Sequence, residues 1–83
     1  MDLYEFNYFS KDERADLIWD LGSLIAIRYD GGYSVVLYHM GEFFAEVKYS
    51  AQHNHIVSVR GFKSKTYLEP YLEMVDLSEL IKE

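Results

Sequence analysis

The side chains in this chain best suited to chemistry are His53 and His55, Glu46, and a set of basic and aromatic residues between Arg28 and Phe62. Two histidines at i and i+2 can reach one metal ion from a strand or a turn. His53-Asn54-His55 has that spacing, with His39 or a distant carboxylate as the third ligand. Asn and His are also ordinary turn residues, so a polar loop explains the tripeptide equally well. No metal and no cofactor is expected. Glu46 interrupts an apolar run, a setting in which buried carboxylates often acquire raised pKa values. Lys48 and Arg60 stand close enough in the expected sheet for a structural ion pair to account for it. No serine lies in a G-x-S-x-G setting, so no nucleophile elbow is indicated. Asp30-Gly31-Gly32 precedes a strand, whereas a phosphate-binding loop needs a helix after it. The chain is not expected to be an enzyme.

What remains is a surface. Arg28, Tyr38, Phe44, Glu46, Lys48, Arg60 and Phe62 fall on one face of the expected sheet, with Lys63 and Lys65 at its edge. Aromatic residues and arginine dominate protein–protein hot spots. The same mixture can stack single-stranded bases. Alternatively, a helix covers this face and its aromatics belong to the core. A formal charge of −6 argues against nucleic acid, because non-specific affinity there comes from neutralising phosphates.

The sheet is read from four alternating runs, 24–29, 33–40, 43–50 and 56–62, each bounded by turn residues. A three-residue loop at Asp30-Gly31-Gly32 pairs Ile27 with Val35 and Ile25 with Leu37. A similar loop at Met40-Gly41-Glu42 pairs Val35 with Val47 and Leu37 with Ala45. The connection 50–54 then sets Val47 against Val57 and Ala45 against Val59. One face so built is aliphatic: Ile25, Ile27, Val35, Leu37, Ala45, Val47, Val57 and Val59. The other is the mixed face, on which Glu46 lies diagonal to Arg60.

Around the sheet, Ser10-Lys11-Asp12-Glu13 fits a capping box opening a helix over 11–21, and Gly22 suits its C-terminal stop. Residues 1–9 are aromatic-rich without a period and read as an irregular arm on the core. Residues 66–74 look helical, with Pro70 delaying the regular turn to Glu69 and with Leu68, Tyr71 and Leu72 on one side. Asp76 is placed to cap a last short helix over 77–82. The expected class is α+β: one domain over 1–83, a four-stranded antiparallel meander, and N- and C-terminal helices on one face.

The chain has 83 residues, and its eight Tyr and five Phe give large side chains to a small core. With no cysteine, thiolate zinc sites, disulfides and thiol catalysis are excluded. The N-terminal MDLYEFNYF lacks a basic region followed by an apolar stretch, and no run is long enough to span a membrane. The reducing cytoplasm is the expected compartment. The expectation for function is a small non-enzymatic interaction module, an adaptor, inhibitor or regulator. It would bind a protein partner, or a second copy as a homodimer, through the mixed face or a sheet edge. The alternative is a single-stranded nucleic-acid-binding domain.

Overall fold

A computed structural model describes residues 1–74, and these form two α-helices, a four-stranded antiparallel sheet and a 3₁₀ helix. In chain order they are α1 (Leu3–Asn7), α2 (Lys11–Leu21), β1 (Ser23–Asp30), β2 (Tyr33–His39), β3 (Phe44–Ser50), β4 (His55–Phe62) and the 3₁₀ helix (Lys65–Tyr71). The sheet order is β1-β2-β3-β4, a simple meander. The α+β class and the four-stranded meander between helical segments are as expected from the sequence; α1 is additional, and the helix expected over 66–74 is a 3₁₀ helix over Lys65–Tyr71. The helix expected over 77–82 lies outside the described residues. Among the described residues no helix is long and apolar enough to cross a membrane.

Helix α2 begins where its capping box predicts. The Ser10 hydroxyl accepts from the Glu13 backbone N–H, and the Glu13 carboxylate accepts from the Ser10 N–H. These bonds satisfy amides that the first turn leaves without partners. A second box, Asp2 with Glu5, opens α1, so the expected irregular arm is instead a single capped turn. One turn is too short to show a period, which is why alternation and 3.6-residue counting both miss it. Gly22 ends α2 in extended backbone rather than a left-handed one. Its value is space: a Cβ there would lie 2.8 Å from the Ile18 carbonyl and 3.0 Å from Met40 Sδ.

The strand register corrects the sequence reading. Gly31 and Gly32 both have positive φ, at 56° and 90°, and alone form the β1–β2 loop. Two consecutive left-handed residues make the tight hairpin turn that matches strand twist. Asp30 therefore pairs with Tyr33 and Ile27 with Val36, not Val35. The β2–β3 loop spans residues 40–43, closed by Met40 N–H donating to the Phe43 carbonyl at 2.8 Å. It pairs Val36 with Val47 and Leu37 with Glu46. Each hairpin of β2 is thus displaced by one residue. The two displacements turn β2 over, while β3, residues 26–30 of β1 and residues 58–62 of β4 keep their expected sides. Bulges at Ile25 and Val57 reverse the start of each outer strand, so Ile25 packs with the Leu37 cluster and Ile56 with the Ala45 cluster. In β3–β4, Val47 pairs with Val59 and Glu46 lies directly opposite Arg60, rather than diagonal to it.

The sheet has a layer on each side. On one face α1 and α2 pack on the β3–β4 half, in a cluster of Phe6, Ala15, Ile18, Met40, Phe43, Ala45, Val47 and Val59. On the other, Leu68 and Tyr71 of the 3₁₀ helix close over Ala26, Leu37, Phe44 and Phe62. The C-terminal element therefore does not join the N-terminal helices on one face. Turning β2 over brings Leu37 to the second face, which supplies the apolar floor that the 3₁₀ helix covers.

Candidate functional site

Strand pairing lines up side chains in rows across the second face. One row reads Ala26, Leu37, Glu46, Arg60; the next reads Arg28, Val35, Lys48, Ser58. Arg28, Phe44, Glu46, Lys48, Arg60 and Phe62 thus share a face, as the alternation predicts. Tyr38 does not. It lies on the opposite face, its ring 5.8 Å from that of Trp19 in an edge-on contact, and partial burial raises its pKa.

Phe44 and Phe62 are not surface residues. They stack with centroids 5.9 Å apart and are buried beneath the 3₁₀ helix. The mixed face is therefore divided. Its Phe44–Phe62 end is core, and only the charged part of it opens to solvent.

Glu46 lies at the boundary, 5% exposed. Its Oε1 accepts from Arg60 Nε at 3.0 Å and Nη2 at 2.8 Å, and its Oε2 accepts from the Tyr71 hydroxyl at 2.5 Å. Arg28 Nη2 stands 3.6 Å from the same Oε2. Burial raises the Tyr71 pKa, as do the hydrogen bond to Glu46 and its charge; Arg28 acts in the opposite direction. The hydroxyl is a neutral donor throughout the physiological range. Three hydrogen bonds and a second arginine at 3.6 Å hold the carboxylate in place as a structural acceptor.

Tyr71 is the member of this network that sequence reading left among ordinary apolar helix residues. The available signal was its phenol: a fully buried tyrosine needs an acceptor for its hydroxyl. Arg60 is also held from above, its guanidinium carbon 4.3 Å from the Tyr67 ring centroid. Lys48 Nζ lies 4.5 Å over the Tyr33 ring.

Beyond this network, Arg28, Asp30, Val35, Glu46, Lys48, Ser58 and Arg60 line an open cavity of about 230 Å³. Arg28 is loosely engaged: its Nη1 is 4.0 Å from Asp30, its Nη2 3.6 Å from Glu46, and its buried Nε has no hydrogen-bond partner among the described residues.

The histidines do not converge. His53 and His55 are exposed, with ring centroids 6.0 Å apart, in and after the β3–β4 turn. His39 ends β2 at the other end of the sheet, opposite Phe44 of β3, with its ring 5.3 Å from that of Phe44. Among the described residues no group of three or more His, Cys, Asp or Glu side chains could hold a metal ion.

The first face is covered unevenly. Where α1 and α2 stop short of β1, Trp19, Leu21, Leu24, Ile27 and Tyr29 are exposed, Leu24 at 60% and Tyr29 at 80%. The two sheet edges also differ. On β4, Arg14 Nη1 donates to the Val59 carbonyl at 2.7 Å and Lys11 Nζ to the Ile56 carbonyl at 3.1 Å. Among the described residues no side chain makes such a bond to the β1 backbone. A bulge at Ile25 interrupts that edge, leaving 26–30 as its regular part.

These features stand without a relative to interpret them. No protein-family model, curated protein or solved structure matches the chain.

Proposed function

We infer that this protein is a non-enzymatic interaction module that takes an extended segment of another protein against β1. The observation that carries the reading is the difference between the sheet edges. Lys11 and Arg14 occupy β4 carbonyls, whereas β1 is bare among the described residues and adjoins exposed Trp19, Leu24, Ile27 and Tyr29. An open strand edge supplies main-chain hydrogen bonds, and pockets for alternate side chains supply selectivity. Charge indicates the kind of segment. Asp16 and Asp20 are exposed on α2 one turn apart, next to Trp19, and the chain carries −6 overall. An alternating apolar strand bearing lysine or arginine fits this border, while two copies of the acidic chain would repel. The cysteine-free composition suits a reducing compartment, and the reading sets the module in the cytoplasm.

A synthetic peptide alternating valine and lysine is the probe. Its titration into isotopically labelled protein is expected to shift the amides of 26–30 and the Trp19 indole, and Ile27→Lys should abolish the response. Shifts confined to β4 or the second face, or none at all, would overturn the reading. Concentration-dependent dimerisation through β1 without peptide would replace the outside partner by a second copy. The nucleic-acid alternative loses support, since the buried Phe44 and Phe62 offer no stacking platform.

A further inference from the structure

We propose that the groove on the second face is a binding site for a small phosphate monoester, gripped between Arg28 and Lys48 above Val35. The site is built by register. Arg28 on β1 and Lys48 on β3 flank Val35 of β2 in one transverse row, and Ser58 of β4 ends it. Strands two apart in a sheet are about 10 Å apart, so the row is a slot with a cation on each wall. Val35 is buried and forms its floor. Long side chains leaning inward from walls at that spacing can both reach one oxyanion between them.

Charge points the same way. Arg28, Lys48 and Arg60 face Asp30 and Glu46 across the cavity, giving a local excess of one positive charge in a chain of net −6. Glu46 takes its hydrogen bonds from Arg60 and Tyr71 and meets Arg28 only in a longer 3.6 Å ion-pair contact, which leaves Lys48 and the remaining donors of Arg28 for a ligand. Asp30 is exposed on the rim, and its 4.0 Å contact with Arg28 is longer than a hydrogen bond. Arg28 thus retains donors whose present acceptors are distant, and its planar fork matches two oxygens of a tetrahedral anion. Lys48 supplies a second charge, at present resting on the Tyr33 ring. The Ser58 hydroxyl adds a neutral donor.

The cavity, at about 230 Å³, suits a single anionic head with a small substituent rather than a strand of nucleic acid. A dianionic phosphate uses both walls more fully than a single carboxylate does. The site shares Arg28 with the β1 edge, but Lys48 and Ser58 stand away from that edge on β3 and β4, so Lys48→Gln separates phosphate binding from peptide binding.

Titration calorimetry and amide shifts, with inorganic phosphate and phenyl phosphate as separate ligands, test the proposal. Both should bind saturably and shift Val35, Lys48 and Ser58. Phenyl phosphate binding more tightly would assign the site to esters, and equal affinities would assign it to the bare anion. Lys48→Gln, on a half-buried strand position, should weaken binding at least tenfold with little change in thermal midpoint. Arg28→Lys retains charge but removes the fork, and should weaken binding by a smaller factor. Absence of saturable binding in low salt would overturn the proposal, as would affinity unchanged in folded Lys48→Gln. Succinate binding as tightly as phosphate would overturn the ligand class.

Discussion

Buried charge is costly unless its partners are complete, and Glu46 shows how this fold meets that demand. Arg60 comes from the paired strand, Tyr71 from the element covering the face, and Arg28 from two strands away. Replacing Glu46 with alanine strands the Tyr71 hydroxyl and leaves two arginines facing each other. Chemical denaturation should register a loss of about 2–4 kcal/mol. Tyr71→Phe removes one hydrogen bond to a charged acceptor and should cost about 1.5–3 kcal/mol. The same hydroxyl dictates a pH response. Its folded pKa is raised above the ordinary value of 10.0, so the unfolded chain loses that proton first. Stability is intact below about pH 10 and falls as pH rises beyond it, and Tyr71→Phe should show a shallower fall in the same window. Opposite charges on neighbouring strands made the Glu46–Arg60 pair legible in the sequence. The rest of the network was not, because a tyrosine joining it across 25 residues leaves no local spacing to count.

Helices and strands were legible to different depths, for reasons each element makes plain. The α2 boundaries follow from Ser10 and Glu13, since a capping box is local chemistry. Hydrogen bonds from the Ser10 backbone N–H and hydroxyl lower the Glu13 pKa. The box therefore contributes above the ordinary carboxyl range and is lost as pH falls through the lowered folded value. Ser10→Ala should cost about 1 kcal/mol by thermal denaturation. The strands were visible as alternation, but their register depended on whether Asp30 belongs to the turn, and two glycines permit either loop length. A one-residue difference there inverts a strand, so the two halves of the mixed face could not be told apart. Helix α1 sits against β4 at a place only glycine allows. A Cβ at Gly61 would lie 2.6 Å from Leu3 Cδ1 and 2.9 Å from Phe6 Cδ2. Gly61→Ala should displace α1 at a cost of about 1–3 kcal/mol, seen as faster amide exchange in 3–7 while β2 and β3 stay protected.

Across the whole molecule, Lys11 and Arg14 are two side chains that cover backbone carbonyls at the β4 edge of the sheet. Removing both Lys11 and Arg14 to alanine frees the Ile56 and Val59 carbonyls. Sedimentation should then show concentration-dependent association that wild type lacks at the same concentration, strengthened by salt as the repulsion of a chain two charges more negative than the wild-type −6 is screened. The meander and the Glu46 network also differ in when they can form. Every strand neighbour in the sheet is a sequence neighbour, so each hairpin closes over a short stretch of chain. Tyr71 must instead return from 25 residues beyond Glu46, after the surface it covers exists. The 3₁₀ helix is therefore expected to dock last and release first. In stopped-flow experiments Tyr71→Phe should accelerate unfolding and leave the refolding rate nearly unchanged, so a hydroxyl that contributes little to the speed of folding governs how long the folded chain persists.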